Sequence, residues 1–320
     1  MIKYVIRRVL LMIPIILGIT LIVAAFIEIA PGDPARIKLG SEATEEELQQ
    51  FRDSRGIDDP FFVKYVRFIG NAVRGDFGKS FYNERDVASE LFQRFSYTLI
   101  IAISSVALAI VVGIPLGIFA ATHQYKIWDN IAVGLSLIFV SMPSFFFALL
   151  LIRFFSLRLG ILPTAGVASW KGWILPTVSL ALGFAATITR QMRSNMLETI
   201  KQDYITTVRA KGQSEFKIRY IHALKNAIIP IIMVVGGLFG MALGGAMIAE
   251  IIYSVPGLGQ FTLSGLTGRD YPVVQGSTLF MSVIFSIMML LIDIGFAFVD
   301  PRIRSQFTKR GKKELVSMKQ

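Results

Sequence analysis

The chain has 320 residues, 53% of them hydrophobic and 17% charged, with a formal net charge of +11 and a mean hydropathy of +0.59. So little polar surface excludes an ordinary water-soluble protein and points to a bilayer as solvent. Cysteine is absent and only His123 and His222 supply imidazole, which excludes disulfides, thiolate metal sites, cysteine nucleophiles and histidine-rich metal centres.

A membrane-crossing helix needs about 20 mostly apolar residues to cover roughly 30 Å of hydrocarbon. Six stretches meet that requirement: 9–30, 97–121, 131–156, 174–191, 227–251 and 276–299. The first follows Lys3, Arg7 and Arg8, as a secretory signal would. Its apolar run is longer than a signal core, however, and Pro31-Gly32-Asp33-Pro34 comes next, so it reads as a retained helix. Residues 31–95 read as a structured segment. Thr44 and Glu47 stand at capping-box spacing, Gly56 offers a stop, and Asp59-Pro60 offers a second start. Phe62, Val66, Ile69 and Val73 then recur on one helical face, and Val87 with Leu91 suggests a third helix leading towards the second span. The expectation is an amphipathic cap lying on the bundle or on the bilayer surface.

Along the second span Ser105, Ala109, Gly113, Gly117 and Ala121 recur at every fourth position. The fifth carries Gly236, Gly240 and Gly244, with Gly237 and Gly245 beside them. Ridges of small residues let helix backbones approach closely in lipid, either within one chain or against a second membrane subunit. Charges inside spans are costly and mark either function or a position from which water is reachable. Glu28, Arg153 and Glu250 lie near span ends, where water is within reach, whereas Asp293 is deeper in the sixth span. Asp293, and after it Glu250, are the candidates for an intramembrane polar or pore position.

Basic residues mark orientation. Lys3, Arg7 and Arg8, then Lys126, then Arg190, Arg193, Lys201, Arg209, Lys211, Lys217, Arg219 and Lys225 all fall on one side, together with the basic tail. The short loops of the other side offer only Arg158, Lys171 and Arg269. The positive-inside rule therefore places both termini in the cytoplasm and residues 31–95 outside. A positive charge sorted to one membrane face does not indicate nucleic acid. The expected organisation is a tail and first span over 1–30, an extracytoplasmic segment over 31–95, a five-helix core over 96–299 and a basic cytoplasmic tail over 300–320.

Two motifs that hint at nucleotide binding fail. Gly75-Asp76-Phe77-Gly78-Lys79-Ser80 resembles the end of a phosphate-binding loop, but Val73 occupies the position of its first glycine. Gly257-Leu258-Gly259 opens like a dinucleotide fingerprint, but Thr262 stands at the third glycine. Paired carboxylates, a nucleophile elbow and metal-ligand spacing are not evident, so the chain is expected to carry no chemistry of its own. The informative segment is instead the loop 192–226, too polar to span and too helix-prone to be a loose linker. Asp203 can cap a short helix ending at Gly212, and Ser214 with Glu215 can start a second piece ending near Asn226. Such a helix–glycine–helix elbow can rest on anionic headgroups or act as a rigid plug for a cytosolic partner.

The run Asp203-Tyr204-Ile205-Thr206-Thr207-Val208-Arg209-Ala210-Lys211-Gly212, followed by His222-Ala223-Leu224-Lys225-Asn226-Ala227-Ile228-Ile229-Pro230, closely resembles the cytoplasmic loop of ABC-importer permeases of the dipeptide/oligopeptide/nickel branch. The resemblance covers nearly the whole chain. Ala30-Pro31-Gly32-Asp33-Pro34, Gly75-Asp76-Phe77-Gly78, Ser141-Met142-Pro143-Ser144-Phe145, Pro256-Gly257-Leu258-Gly259, Arg269-Asp270-Tyr271-Pro272-Val273-Val274-Gln275-Gly276 and Asp300-Pro301-Arg302-Ile303-Arg304 follow in order. One departure stands out: the Glu-Ala-Ala triplet of the general permease loop is replaced by Thr206-Thr207-Val208.

The resemblance implies an all-α integral membrane protein with six transmembrane helices, resident in a bacterial or archaeal cell (inner) membrane. It implies a transport subunit rather than an enzyme, paired with a homologous second permease and served by an extracytoplasmic substrate-binding protein. Two cytosolic ATPases would hold the ATP and Mg²⁺. The coupling loop would engage those ATPases through Asp203, Tyr204, Thr206, Thr207, Arg209, Ala210, Lys211, Gly212, Glu215 and His222. Di- or oligopeptides are the expected cargo, with nickel or a nickel chelate as the alternative. A self-sufficient channel or secondary transporter is the rival of another class; it would need an ion or proton relay, and the spans carry only scattered charges.

Overall fold

A computed structural model of the chain describes residues 2–299; the basic tail expected over 300–320 lies outside them. Every regular element among the described residues is a helix: α1 Ile2–Ile29, α2 Pro34–Leu39, α3 Glu45–Arg55, α4 Phe61–Ala72, α5 Val87–Thr122, α6 Ile127–Ser141, α7 Ser144–Leu151, α8 Ile174–Ile200, α9 Asp203–Ala210, α10 Glu215–Lys217, α11 Leu224–Ala227, α12 Ile229–Ile252, α13 Leu258–Gly268 and α14 Tyr271–Val299. One isolated antiparallel bridge joins Lys79 and Asp86. Four helices are long and apolar enough to cross a membrane: Val5–Ile29, Val87–Thr122, Trp170–Ile200 and Tyr271–Gly295. Two bent pairs raise the number to six when each counts as one span.

The first bent pair departs from the expected straight crossing over 131–156. Ile127–Ser141 and Ser144–Arg158 meet at 104°. Met142 precedes Pro143 and is held extended at ψ 129°, because the proline ring clashes with a helical residue before it. Beyond α7 the chain continues through a π-helical turn, Ile152–Arg158. The second pair, Glu215–Ala227 and Ile229–Gly244, is bent by 50°. A further departure is that the helix expected at Val87 does not stop before the second span. Nothing between Leu91 and Tyr97 breaks a helix, and the two fuse into the 36-residue α5.

The described residues fall into two compact units. One holds residues 2–98 with Pro256–Ile287, the other Leu99–Val255 with the residues from Met288 onward. In the first unit the capping box of α3 is complete. Thr44 Oγ1 accepts from the Glu47 N–H at 3.3 Å, and the Thr44 N–H donates to Glu47 Oε2 at 2.9 Å. Gly56 then ends the helix in the left-handed region, at φ +60°. Val87 and Leu91 at the start of α5 form a buried cluster with Leu258 and Phe261 of α13 and Val273 and Phe280 of α14. The family-like motif around Asp270 is anchored here. Asp270, buried, accepts from Ser80 Oγ at 2.5 Å and from the Phe81 N–H at 3.1 Å. Thr98 Oγ1 takes the Leu258 N–H at 2.9 Å, satisfying a donor that the start of α13 leaves open.

The second unit is built around α8, which packs against α6, α7 and α12. Helix α8 also approaches α5 closely. A Cβ placed on Gly113 would stand 2.8 Å from the Ala185 carbonyl oxygen and 2.8 Å from Ile188 Cβ. One placed on Gly117 would stand 2.6 Å from Met192 Cβ. Glycine is what lets these two backbones touch, and Thr189 Oγ1 donates across the contact to the Gly113 carbonyl at 3.3 Å.

Candidate coupling site

The loop 192–226 folds as an elbow whose inner side belongs to the core of the second unit. Ile205 of α9 and Ile218 and Ala223 of the following turn are fully buried. They share one apolar cluster with Met192 and Met196 of α8, Ala227 of α11, Ile231 at the start of α12, and Ile118 and Ala121 of α5. Asp203 does not cap α9. Gln202 holds the cap position without a side-chain bond, and Asp203 is the first helical residue, its carboxylate favoured by the positive end of the helix dipole. Tyr204, half-buried, closes the elbow from within. Its hydroxyl accepts from Asn226 Nδ2 at 2.7 Å and donates to the His222 carbonyl at 3.4 Å.

The two arms turn at Gly212, whose φ of +77° is a left-handed conformation that glycine adopts without steric cost. Nothing lies within 4 Å of the position a Cβ would take there, so the turn is open to solvent. Across it Arg209 Nε donates to Glu215 Oε1 at 2.7 Å, and within the second arm Arg219 Nε lies 3.4 Å from Glu215 Oε2. Ser214 caps the second arm by accepting from the Lys217 N–H. This arm runs through α10, a π-helical turn Ile218–Ala223 and α11. The elbow is thus a cross-braced, capped body, and Thr206, Thr207, Arg209, Ala210, Lys211 and Glu215 all face outward from it.

Its outer surface also carries two aromatic residues that sequence reasoning did not single out. Phe216 is 67% exposed and Tyr220 is 41% exposed, their ring centroids 4.7 Å apart. Their separation of four residues was the available signal. A second missed pair braces α8 near the elbow. Asp129, in the first turn of α6, is buried and receives Arg193 Nε at 2.5 Å and Arg193 Nη2 at 2.7 Å, with the Tyr125 N–H adding a third bond at 3.1 Å. An acid in that first turn and a base near the end of a span were legible singly but carried no sign that they meet.

The remaining residues fall in different places. Gly236 packs against Ile292 of α14, whose Cγ2 is 2.5 Å from the would-be Cβ; Gly240 is buried; Gly244 is exposed with open space around it. Asp293 is half-buried on α14. Glu250 does not reach water as its place near a span end suggested. It is fully buried at the tight turn that follows α12, where the Val255 N–H bonds back to the Glu250 carbonyl at 2.8 Å and Tyr253 and Val255 are buried as well. Glu28 and Arg153 are exposed. At the bend between α6 and α7 lies a cavity of 370 Å³ lined by Phe139, Met142, Phe147, Leu182, Phe184 and Met241, with the hydroxyls of Ser144, Ser179 and Thr187 among them.

Comparison with known proteins places these features in a family. Residues 113–305 match the family described as binding-protein-dependent transport system inner membrane component, and residues 1–102 match the N-terminal region of the same kind of membrane component. The glutathione transport system permease protein GsiC of Escherichia coli strain K12 is 38% identical over 304 residues, covering 95% of this chain and 99% of that protein. The protein of the same description from Shigella dysenteriae serotype 1 is 38% identical over the same extent. Among solved structures, an inward-facing conformation of the MetNI methionine ABC transporter superposes with a TM-score of 0.56 at 20% identity, covering 66% of this chain and 96% of that chain. That likeness is one of fold.

Proposed function

The chain belongs to the binding-protein-dependent transport system inner membrane components, the permease subunits of ABC importers, and from that premise we propose that it carries peptide-type cargo. It does so together with a homologous second permease, with two cytosolic ATPases supplying the ATP and Mg²⁺ chemistry. An extracytoplasmic binding protein delivers the cargo on the side of residues 31–95. Within this assembly the elbow is the transmission. The observation that carries the reading is its two-sided construction: an exposed tip bearing Phe216, Tyr220, Arg209 and Lys211, on a body whose inner residues are fully buried with α8, α12 and α5. Force applied to such a tip moves packed helices as a unit, since a close-packed core shifts between discrete arrangements rather than deforming smoothly. ATP-driven closure of the ATPases would thereby bias the helices towards the state that receives cargo.

Peptide-type cargo is supported by the relatives named for glutathione transport, glutathione being a tripeptide, and by the mixed aromatic and hydroxyl lining of the cavity at the α6–α7 bend. Nickel would have to cross without any thiol and with only two imidazoles in the chain. Two experiments test the proposal. A single cysteine at Phe216→Cys should cross-link to the ATPase subunit in membranes, and a failure to do so with the assembled complex present removes the docking role. Calorimetric titration of the cognate binding protein with glutathione, di- and oligopeptides and Ni²⁺ should give heat with a peptide; heat with Ni²⁺ alone overturns the cargo assignment.

A further inference from the structure

Phe62, Val66 and Val73 are 72%, 67% and 84% exposed, although they form one stripe along and just past α4. At about 100° per residue, these three and Ile69 fall within an arc of roughly 60°, while Lys64 and Asn71 lie on the opposite side. The first unit fixes the direction in which this stripe points. Lys64 Nζ donates to both carboxylate oxygens of Glu28 at 2.8 Å. The neighbouring Tyr65 reaches the other way, its hydroxyl donating to the Leu17 carbonyl at 2.8 Å and lying 3.0 Å from Thr20 Oγ1.

Glu28 and Thr20 are separated by about 12 Å along α1, so the axis of α4 crosses α1 between them, about 8 Å inside the end at Ile29. Lys64 points towards that end, and the stripe, on the far side of α4 from Lys64, points towards the middle of the span. The face of α1 that meets α4 continues towards the middle of the span with the same character, Leu17, Ile13 and Leu10 being exposed there. A helix set at this depth, with its cation turned to the polar boundary and its apolar face turned inward, matches an interfacial helix sunk about 5–10 Å into a leaflet.

We propose that α4 is submerged in the leaflet at the Ile29 end of α1, its stripe occupied by phospholipid acyl chains. The segment 31–95 is thereby pinned to the bilayer surface through α4 as well as through α1. Its charged ion pairs, including Arg52–Asp33 and Arg55–Glu84, are held in the aqueous layer above. The occupant is lipid rather than protein because the stripe continues the exposed apolar face of a membrane span, to which Lys64 and Tyr65 bond α4.

The absence of cysteine makes each introduced label unique within the chain. Nitroxide labels at F62C, V66C, V73C and N71C would be compared in the full chain, assembled with cysteine-free partners in phospholipid nanodiscs. Collision with oxygen, which partitions into lipid, should exceed collision with a water-soluble nickel chelate at 62, 66 and 73, and the order should reverse at 71. Chelate access at the stripe equal to that at 71 would place α4 in water and overturn the proposal. Immobilised labels shielded from both probes would show a protein surface over the stripe and overturn it equally.

Discussion

Replacing Arg193 with methionine removes the guanidinium from a carboxylate whose side chain is only 2% exposed, while Arg193 itself keeps 25% of its surface. Of the three bonds that Asp129 accepts, two are lost, and only the Tyr125 N–H at 3.1 Å remains. Stripping one partner from a buried ion pair costs about 3–5 kcal/mol, and the partial exposure of this pair puts the expected loss near the low end, about 3 kcal/mol. That is about two decades in the folding equilibrium. Asp129→Asn should cost less, about 1–2 kcal/mol, because Arg193 can turn to water. The double variant should then recover about 2 kcal/mol relative to the sum of the singles, since it leaves no buried charge without its partner. Unfolding of the purified chain by titrated denaturant in one detergent, with the four variants compared, measures this cycle. If Arg193→Met unfolds with the native protein, or if the double variant loses the full sum, the pair is not the brace described.

Gly117→Ala should destabilise the chain by about 1–3 kcal/mol through overpacking against Met192 Cβ, whereas Gly237→Ala, with open space around it, should be close to neutral; thermal midpoints of the two variants decide the point. The hydrogen bond from Arg52 holds the Asp33 carboxyl below its ordinary value of 3.8. The unfolded chain therefore binds this proton first as pH falls, so the pair's contribution is complete above the ordinary value and is lost as pH falls through the lower folded value. Protease nicking of segment 31–95 should accordingly rise in the native chain as pH falls below the ordinary value of 3.8, and Arg52→Gln should abolish that part of the rise.

How much was legible in the sequence depended on how local the cause was. The capping box of Thr44 and Glu47, the stop at Gly56 and the turn at Gly212 each rest on a few adjacent residues, and each could be read from the string. The extents of the apolar runs were readable for the same reason, whereas their continuity was not. The bend at Met142-Pro143 needed the pre-proline restriction to be weighed against a strong apolar run, and the fusion of α5 needed the absence of a breaker to be noticed. Long-range pairings left no trace in spacing. Asp270 with Ser80, and Asp129 with Arg193, join residues far apart in the chain whose individual types were unremarkable. The family-like motifs pointed to the elbow without showing what holds it, which is burial of Ile205 and Ile218 in the helical core. Phe216 and Tyr220 escaped notice because an aromatic pair on a helix is ordinarily core, and only the structure places it outside.

The central claim is that the elbow turned at Gly212 transmits ATPase closure to the membrane helices. Gly212→Val introduces a β-branched side chain at φ +77°, a backbone conformation costing roughly 1–2 kcal/mol for such a residue, and so disfavours the angle between the two arms without touching the buried side of the elbow. In proteoliposomes holding the assembled transporter, this variant should hydrolyse ATP while cargo uptake, driven by the loaded binding protein, falls away. Uptake at the native rate per ATP hydrolysed would contradict the account.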